Sequence, residues 1–254
     1  MSDPFDSSHL KLGWAWEHIY KLEEAIADFL QVCPGESFTE PHPDKPEHKV
    51  HKVRFARPLP NPLSLIAGDA VDNLRAVLDH ALYAISIPRK DSRPRNAHFP
   101  FAGSAARFES QLTGRCADVP KDIYPLLRGL QPYKGGNALL VTLNEACNRN
   151  KHALLLSCVP SVHMLRADLS ATGGAAGVPL RHVWDRSKKE MELFTIGPRA
   201  ECQAQFDLRF LVILSDIGAP EDEQASVVLR AIAQEVERIL TAIEGESRRL
   251  GLCQ

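Results

Sequence analysis

The stretch PLSLIAGDAVDNLRAVLDHALYAISI (62–87) concentrates the side chains best suited to chemistry. Wound at about 100° per residue, it gathers Asp69, Asp72, Asn73, Asp79, His80 and Tyr83 on one face. Leu74, Val77, Leu78, Ala81, Leu82 and Ile85 form the other. Arg75 sits at the border, four residues before Asp79, the spacing of a helical ion pair. Solvated helix faces are usually rich in Lys and Glu, and this stretch contains neither. It uses short, rigid side chains together with Asn, His and Tyr. An imidazole suits general acid–base work near neutral pH, and a guanidinium suits phosphate oxygens. Gly68, near the start of the same helix, costs about 1 kcal/mol relative to Ala unless close packing compensates.

A second helix, expected over 137–157, repeats the pattern. Glu145, Asn148, Arg149 and His152 share one face, with Lys151 beside them. Glu145 can pair with Arg149, and Asn148 with His152, both at i,i+4. If the two helices pack antiparallel, their polar stripes line one groove.

Arg75-Ala-Val-Leu-Asp-His80 separates an Arg from a His by four residues on a helix. This resembles the R-x4-6-H motif of HEPN-domain ribonucleases, small helical proteins common in toxin–antitoxin and anti-phage systems. The resemblance implies a metal-independent endoribonuclease with RNA as substrate and no cofactor. It makes His80 the proton-transfer group for attack by the 2′-hydroxyl and Arg75 the stabiliser of the scissile phosphate. Asn73 and Asp79 would orient them, with Asp72, Tyr83, Glu145, Asn148, Lys151 and His152 in support. It further implies a homodimer in which two motifs meet, and a neutralising or defence-system partner protein. The resemblance covers 62–87. It departs from the family at Ala76, where a polar residue is common, and in placing the motif on an early helix. GDAVDNLRAVLDHA is also similar to a segment recurrent in bacterial and phage proteins of unassigned function. Arg93 and His98 satisfy the same spacing, but in a Pro-containing loop, and are read as chance background.

Two other readings stand beside this one. His80, Asp72, Asp79, Glu145 and His152 are suitable metal ligands, although Asn148 stands where a Glu-x-x-His di-iron pattern requires His. Alternatively the stripes are hydrogen-bonded networks that fix helix register, or a surface for a protein partner. A buried Arg75–Asp79 pair would then favour specificity over stability.

The elements that must position these residues follow from periodicity. Helices are expected at 7–31, capped by Ser7 or Ser8, at 62–87, 104–113, 120–129 and 137–157, and at 222–249. In the last, Val227, Val228, Ile232, Val236, Ile239 and Leu240 face the core. The polar, Pro-rich 36–48 reads as loop, followed by one short edge strand through Val50, Val53 and Phe55. Segments 161–170, 180–186, 189–196 and 203–214 alternate and read as a small antiparallel sheet of three or four strands. ATGGAAGVP is read as its flexible link. The expected fold is α+β: a helical bundle with a small antiparallel β-sheet inserted before the C-terminal helix. It forms a single domain over 1–254, with the helical part at about 1–157 and 222–254 and the β-rich insertion at about 158–216.

Composition bounds the function. With 254 residues, 44% hydrophobic and 24% charged, the chain is an ordinary globular one. A formal net charge of -2 excludes a general polyanion binder, so any nucleic-acid contact must come from a local basic patch. Arg166, Arg181, Arg186, Lys188 and Lys189 in the β segment would guide an RNA backbone under the nuclease reading, and are otherwise a solvated sheet face. No apolar run approaches the ~18 residues that span a bilayer, and MSDPFDSSHLKLG lacks the pattern of a secretory signal. Cys33, Cys116, Cys147, Cys158, Cys202 and Cys253 form no C-x-x-C pair and read as reduced, mostly buried thiols of a cytoplasmic protein. There is no P-loop and no G-x-S-x-G elbow.

Overall fold

Apolar residues recurring every three or four positions build the helical half of the protein. The computed structural model describes residues 3–32, 35–87, 94–152, 156–174, 176–177 and 183–252, with 151 and 152 as backbone alone. Helix α1 (Asp6–Val32) buries Leu12, Ile19, Leu22, Ile26 and Phe29. Its N-terminus is held by Asp3, whose carboxylate accepts from the Phe5 amide at 2.9 Å. Ser7 is not the cap, because its hydroxyl is engaged elsewhere. Helix α2 (Pro62–Ala84) starts on Pro62, whose fixed φ suits the first turn. Its expected apolar face is buried throughout, and Ala67, Gly68, Ala70, Val71 and Arg75 are buried as well. The long helices α1, α5 (Ala138–His152) and α6 (Ala225–Arg249) all pack on α2, making it the centre of the bundle. Shorter α3 (Ala105–Arg115) and α4 (Tyr124–Leu130) close one side through Phe108, Leu112 and Leu127. On α6 the apolar stripe holds except at Val227, which is 47% exposed.

The β half departs from the sequence reading in three ways, the last being that its expected single sheet is two. Residues 36–48 are not loop but most of a hairpin, β1 (Gly35–His42) and β2 (Lys45–Phe55). Pro41 is tolerated because β1 is an edge strand and the register shifts at Pro41/His42. Second, β2 is not an edge. It pairs on its other side with β6 (Glu190–Ile196), which also pairs with β4 (Ala176–Gly177) and β5 (Trp184–Asp185). The expected insertion therefore shares a five-stranded antiparallel sheet with the N-terminal hairpin. The remaining strands, β3 (Cys158–Thr172) and β7 (Glu201–Leu214), form a separate two-stranded ribbon. Trp184–Asp185 is the strand found within 180–186, and 178–182 lie outside the described residues.

The class is thus mixed α+β, with antiparallel sheets and a C-terminal helix that follows the strands. Among the described residues no helix is long and apolar enough to cross a membrane. Of the cysteines, Cys116, Cys147, Cys158 and Cys202 are free thiols, the first two buried; Cys33 and Cys253 lie outside the described residues. Trp16 packs against the core, whereas Trp14 is 53% exposed.

Candidate functional site

Helices α2 and α5 meet antiparallel along a polar seam. Arg75 donates from Nη1 to Asn144 Oδ1 at 2.8 Å, Cys147 Sγ donates to the Val71 carbonyl at 3.4 Å, and Asn150 Nδ2 donates to Asp72 Oδ2 at 3.0 Å. Asn144 meets Arg75, whereas Cys147 and Asn150, farther along α5, meet Val71 and the Gly68–Asp72 turn farther back along α2, which fixes the orientation. Gly68 explains itself here. A Cβ at that position would lie 2.8 Å from Asn150 Oδ1, so the glycine makes room for the amide that holds Asp72.

Among the described residues the expected stripes do not line a single groove. Arg75 is 8% exposed, with its guanidinium 4.0 Å over the Phe101 ring and its Nε 3.6 Å from Asp79 Oδ2. Burial pulls its pKa down, and the charge of Asp79 opposes that shift. Asn73 is held by Lys11 of α1, which donates to its Oδ1 at 3.1 Å, and itself donates to the Asp69 carbonyl at 2.7 Å. On α5, Glu145 and Arg149 do not pair with each other. Arg149 pairs with Asp216 at 3.1 Å, and Glu145 Oε2 lies against Gly218, both in the turn after β7. Asn148 is exposed. The side chains of Lys151 and His152 lie outside the described residues, so the Asn148–His152 pair does too.

His80 belongs to a different setting, toward the C-terminal end of α2. Its Nδ1 shares a hydrogen bond with Ser7 Oγ at 2.5 Å. It lines an open pocket of about 610 Å³ together with Ser7, Asp79, Tyr83 and His98. Arg75 is not among the lining residues. His98, dismissed by sequence spacing, is brought to the pocket by the segment around 97–101, and that segment is firmly anchored. Asp79 Oδ1 accepts from the Phe99 amide at 2.8 Å, His98 donates its amide to the Arg115 carbonyl at 3.0 Å, and Asp118 Oδ2 accepts from the Arg95 and Asn96 amides at 2.9 Å each. Buried Ala97 and Phe99 flank the exposed imidazole. Cys116 Sγ donates to the His98 carbonyl at 3.1 Å, and burial pushes this thiol up to about 12, which keeps it a neutral support.

A chain of contacts therefore runs from Asn144 through Arg75 and Asp79 to the backbone that presents His98. The flanking HFPF pattern carries the one sequence signal for it, a histidine held between buried apolar neighbours. Asn144 and Asn150 had no signal beyond the unexplained Gly68. Among the described residues, no cluster of three or more His, Cys, Asp or Glu side chains is arranged to hold a metal ion. No protein-family model, curated protein or solved structure matches this chain.

Proposed function

We propose that the protein is a metal-independent endoribonuclease acting at the pocket lined by His80 and His98. The observation that carries this reading is the presence of two imidazoles in one open pocket, one of them hydrogen-bonded to Ser7 and the other on an anchored segment. Paired acid and base groups are what cleavage of RNA without a metal requires. In the proposed reaction His80 takes the proton of the 2′-hydroxyl. The freed oxygen attacks phosphorus and the bond to the 5′-oxygen breaks. His98 gives its proton to that leaving oxygen, producing a 2′,3′-cyclic phosphate and a 5′-hydroxyl end. Tyr83, 50% exposed at the pocket, is placed to contact the substrate.

This reading keeps the histidine of the R-x4-6-H pattern and gives its arginine a different task. Arg75 is a positioning residue, holding Asp79, which in turn holds the Phe99 amide. The same contacts support a second reading, that of a non-enzymatic protein whose polar seam fixes helix register, since Arg75, Asp72 and Asn73 are all engaged by neighbouring helices.

Cleavage of a mixed RNA pool in EDTA and with added divalent metal, by wild type, His80→Ala and His98→Ala, separates these readings. The expected result is cleavage in EDTA, lost by at least a hundredfold in either variant while the circular dichroism of the fold is unchanged. Activity that needs metal, or no histidine-dependent activity at all, overturns the proposal; the second outcome leaves the structural reading.

A further inference from the structure

The opposite end of α2 carries a basic groove. About 600 Å³ in volume, it is lined by Arg54, Arg57, Lys188 and Lys189 against one carboxylate, Glu36, with Phe55 in its wall. Its neighbour, about 190 Å³, shares Val159, Pro160 and Lys189 with it and adds Trp184, Arg186, which pairs with Glu221 at 2.7 Å, and Asp216, which pairs with Arg149 at 3.1 Å. Lys189 joins the two depressions, so cationic side chains reach from one into the other on a chain whose formal net charge is -2. The one acid among the described lining residues of the larger groove is already engaged, since Glu36 Oε2 accepts from Arg54 Nε at 3.3 Å. Among the described residues neither Lys188 nor Lys189 forms a salt bridge, and the nearby Asp185 carboxylate acts on the Lys188 ammonium only through its field. Burial pushes the Cys158 thiol up to about 12, so the floor adds no negative charge at neutral pH. The N-terminus of α2 opens on the same groove at Asn61, whose side chain makes no capping bond, and adds its positive dipole end.

We propose that this groove binds the phosphodiester backbone of single-stranded RNA. A row of cations joined across two depressions suits successive phosphates rather than one phosphate cluster. Trp184, half-buried in the smaller depression with its ring edge-on to Phe55 at 5.9 Å, offers a face on which a base stacks. Basic grooves combined with aromatic platforms are how proteins hold single strands without reading their sequence. His80 lies about 27 Å along α2 from Pro62, taking 1.5 Å per residue. The groove is thus separate from the His80 pocket, and it rests on the proposed function only in taking RNA as the ligand.

The test uses the full chain and a fluorescent, mixed-sequence 2′-O-methyl oligoribonucleotide, which lacks the hydroxyl that cleavage needs. Its affinity is measured by anisotropy across salt concentrations in EDTA. Four phosphate contacts give a slope of log affinity against log salt of about -3, at roughly -0.7 per contact. The double variant Lys188→Gln/Lys189→Asn should bind about tenfold more weakly and bring the slope to about -1.4. Asn is chosen because Lys189 has φ +57°, a conformation Asn tolerates. Arg128→Gln, which removes an exposed cation of α4 outside the groove lining, should bind as the wild type does. Salt-independent binding, an unchanged double variant, preference for duplex, or full competition by equimolar pyrophosphate would each overturn the groove. No cleavage by the wild type with intact groove binding sinks the nuclease alone; cleavage with no groove-dependent binding sinks the groove alone.

Discussion

At the scale of single residues, Arg75 separates what a motif suggests from what its environment allows. A guanidinium that is 8% exposed, packed on Phe101, hydrogen-bonded to Asn144 and ion-paired with Asp79 is part of the interior. Arg75→Met should leave Asp79 without its cation, and the cost is about 2–3 kcal/mol, below the full penalty of a broken buried pair because Asp79 stays partly solvated. Arg75→Lys should recover little of it, since an ammonium cannot reproduce the planar stack and the fork to two partners. Urea unfolding of the three proteins checks this, and a change below 0.5 kcal/mol in Arg75→Met would remove the positioning role. The chemistry of the site was partly legible at this scale. The residue types on α2 announced His80, and the i,i+4 spacing announced the Arg75–Asp79 pair. Beyond the flanking HFPF pattern nothing local announced His98, because its place depends on Asp79 of α2, Arg115 of α3 and Asp118 in the turn that follows α3.

At the scale of elements, periodicity found the long helices because their apolar stripes face one continuous core. It missed the β1–β2 hairpin because Pro41, Pro43 and Pro46 imitate a loop. The strands tolerate them by putting Pro41 at a register shift on an edge and Pro46 at the start of β2. It also could not see that β2 pairs with β6, since pairing over so long a stretch of chain leaves no local pattern. The α2–α5 seam makes a sharper claim. Gly68→Ala removes the conformational cost of a helical glycine, about 1 kcal/mol, but forces its new Cβ against the Asn150 amide that holds Asp72. In the wild-type background these effects should cancel to within about 0.5 kcal/mol, because a displaced hydrogen bond is worth a similar amount. In an Asn150→Ala background the same substitution should stabilise by about 1 kcal/mol. A double-mutant cycle by thermal or urea unfolding reads the difference directly, and additive effects would show that the amide does not need the space left by the glycine.

At the scale of the whole molecule, the helical and β halves are joined by particular side chains. Phe55, at the end of β2, stacks on Phe29 of α1 at 6.0 Å and meets Trp184 and Phe210 edge-on at 5.9 and 5.2 Å. Strand β7 does the same lengthwise: Val212 and Leu214 are buried in the helical core, whereas Phe206, Leu208 and Phe210 pack on the smaller cluster around Val53, Met191 and Leu193. A single strand that serves both clusters cannot leave one without disturbing the other, so the two halves should unfold together as one domain. The sequence supplies reporters for each. Removing Trp14 and Trp16 by Trp→Phe substitution leaves Trp184 as a fluorescent probe of the sheet, while far-ultraviolet circular dichroism follows the helices. In urea the two signals should share one midpoint, and Phe55→Ala, which empties the junction at a cost of about 2–3 kcal/mol, should lower both by the same amount. A Trp184 transition that precedes the helical one would mean that the β half is a separate unit resting on the bundle. The basic groove would then sit on the less stable of two bodies, and RNA should raise the midpoint of that first transition alone.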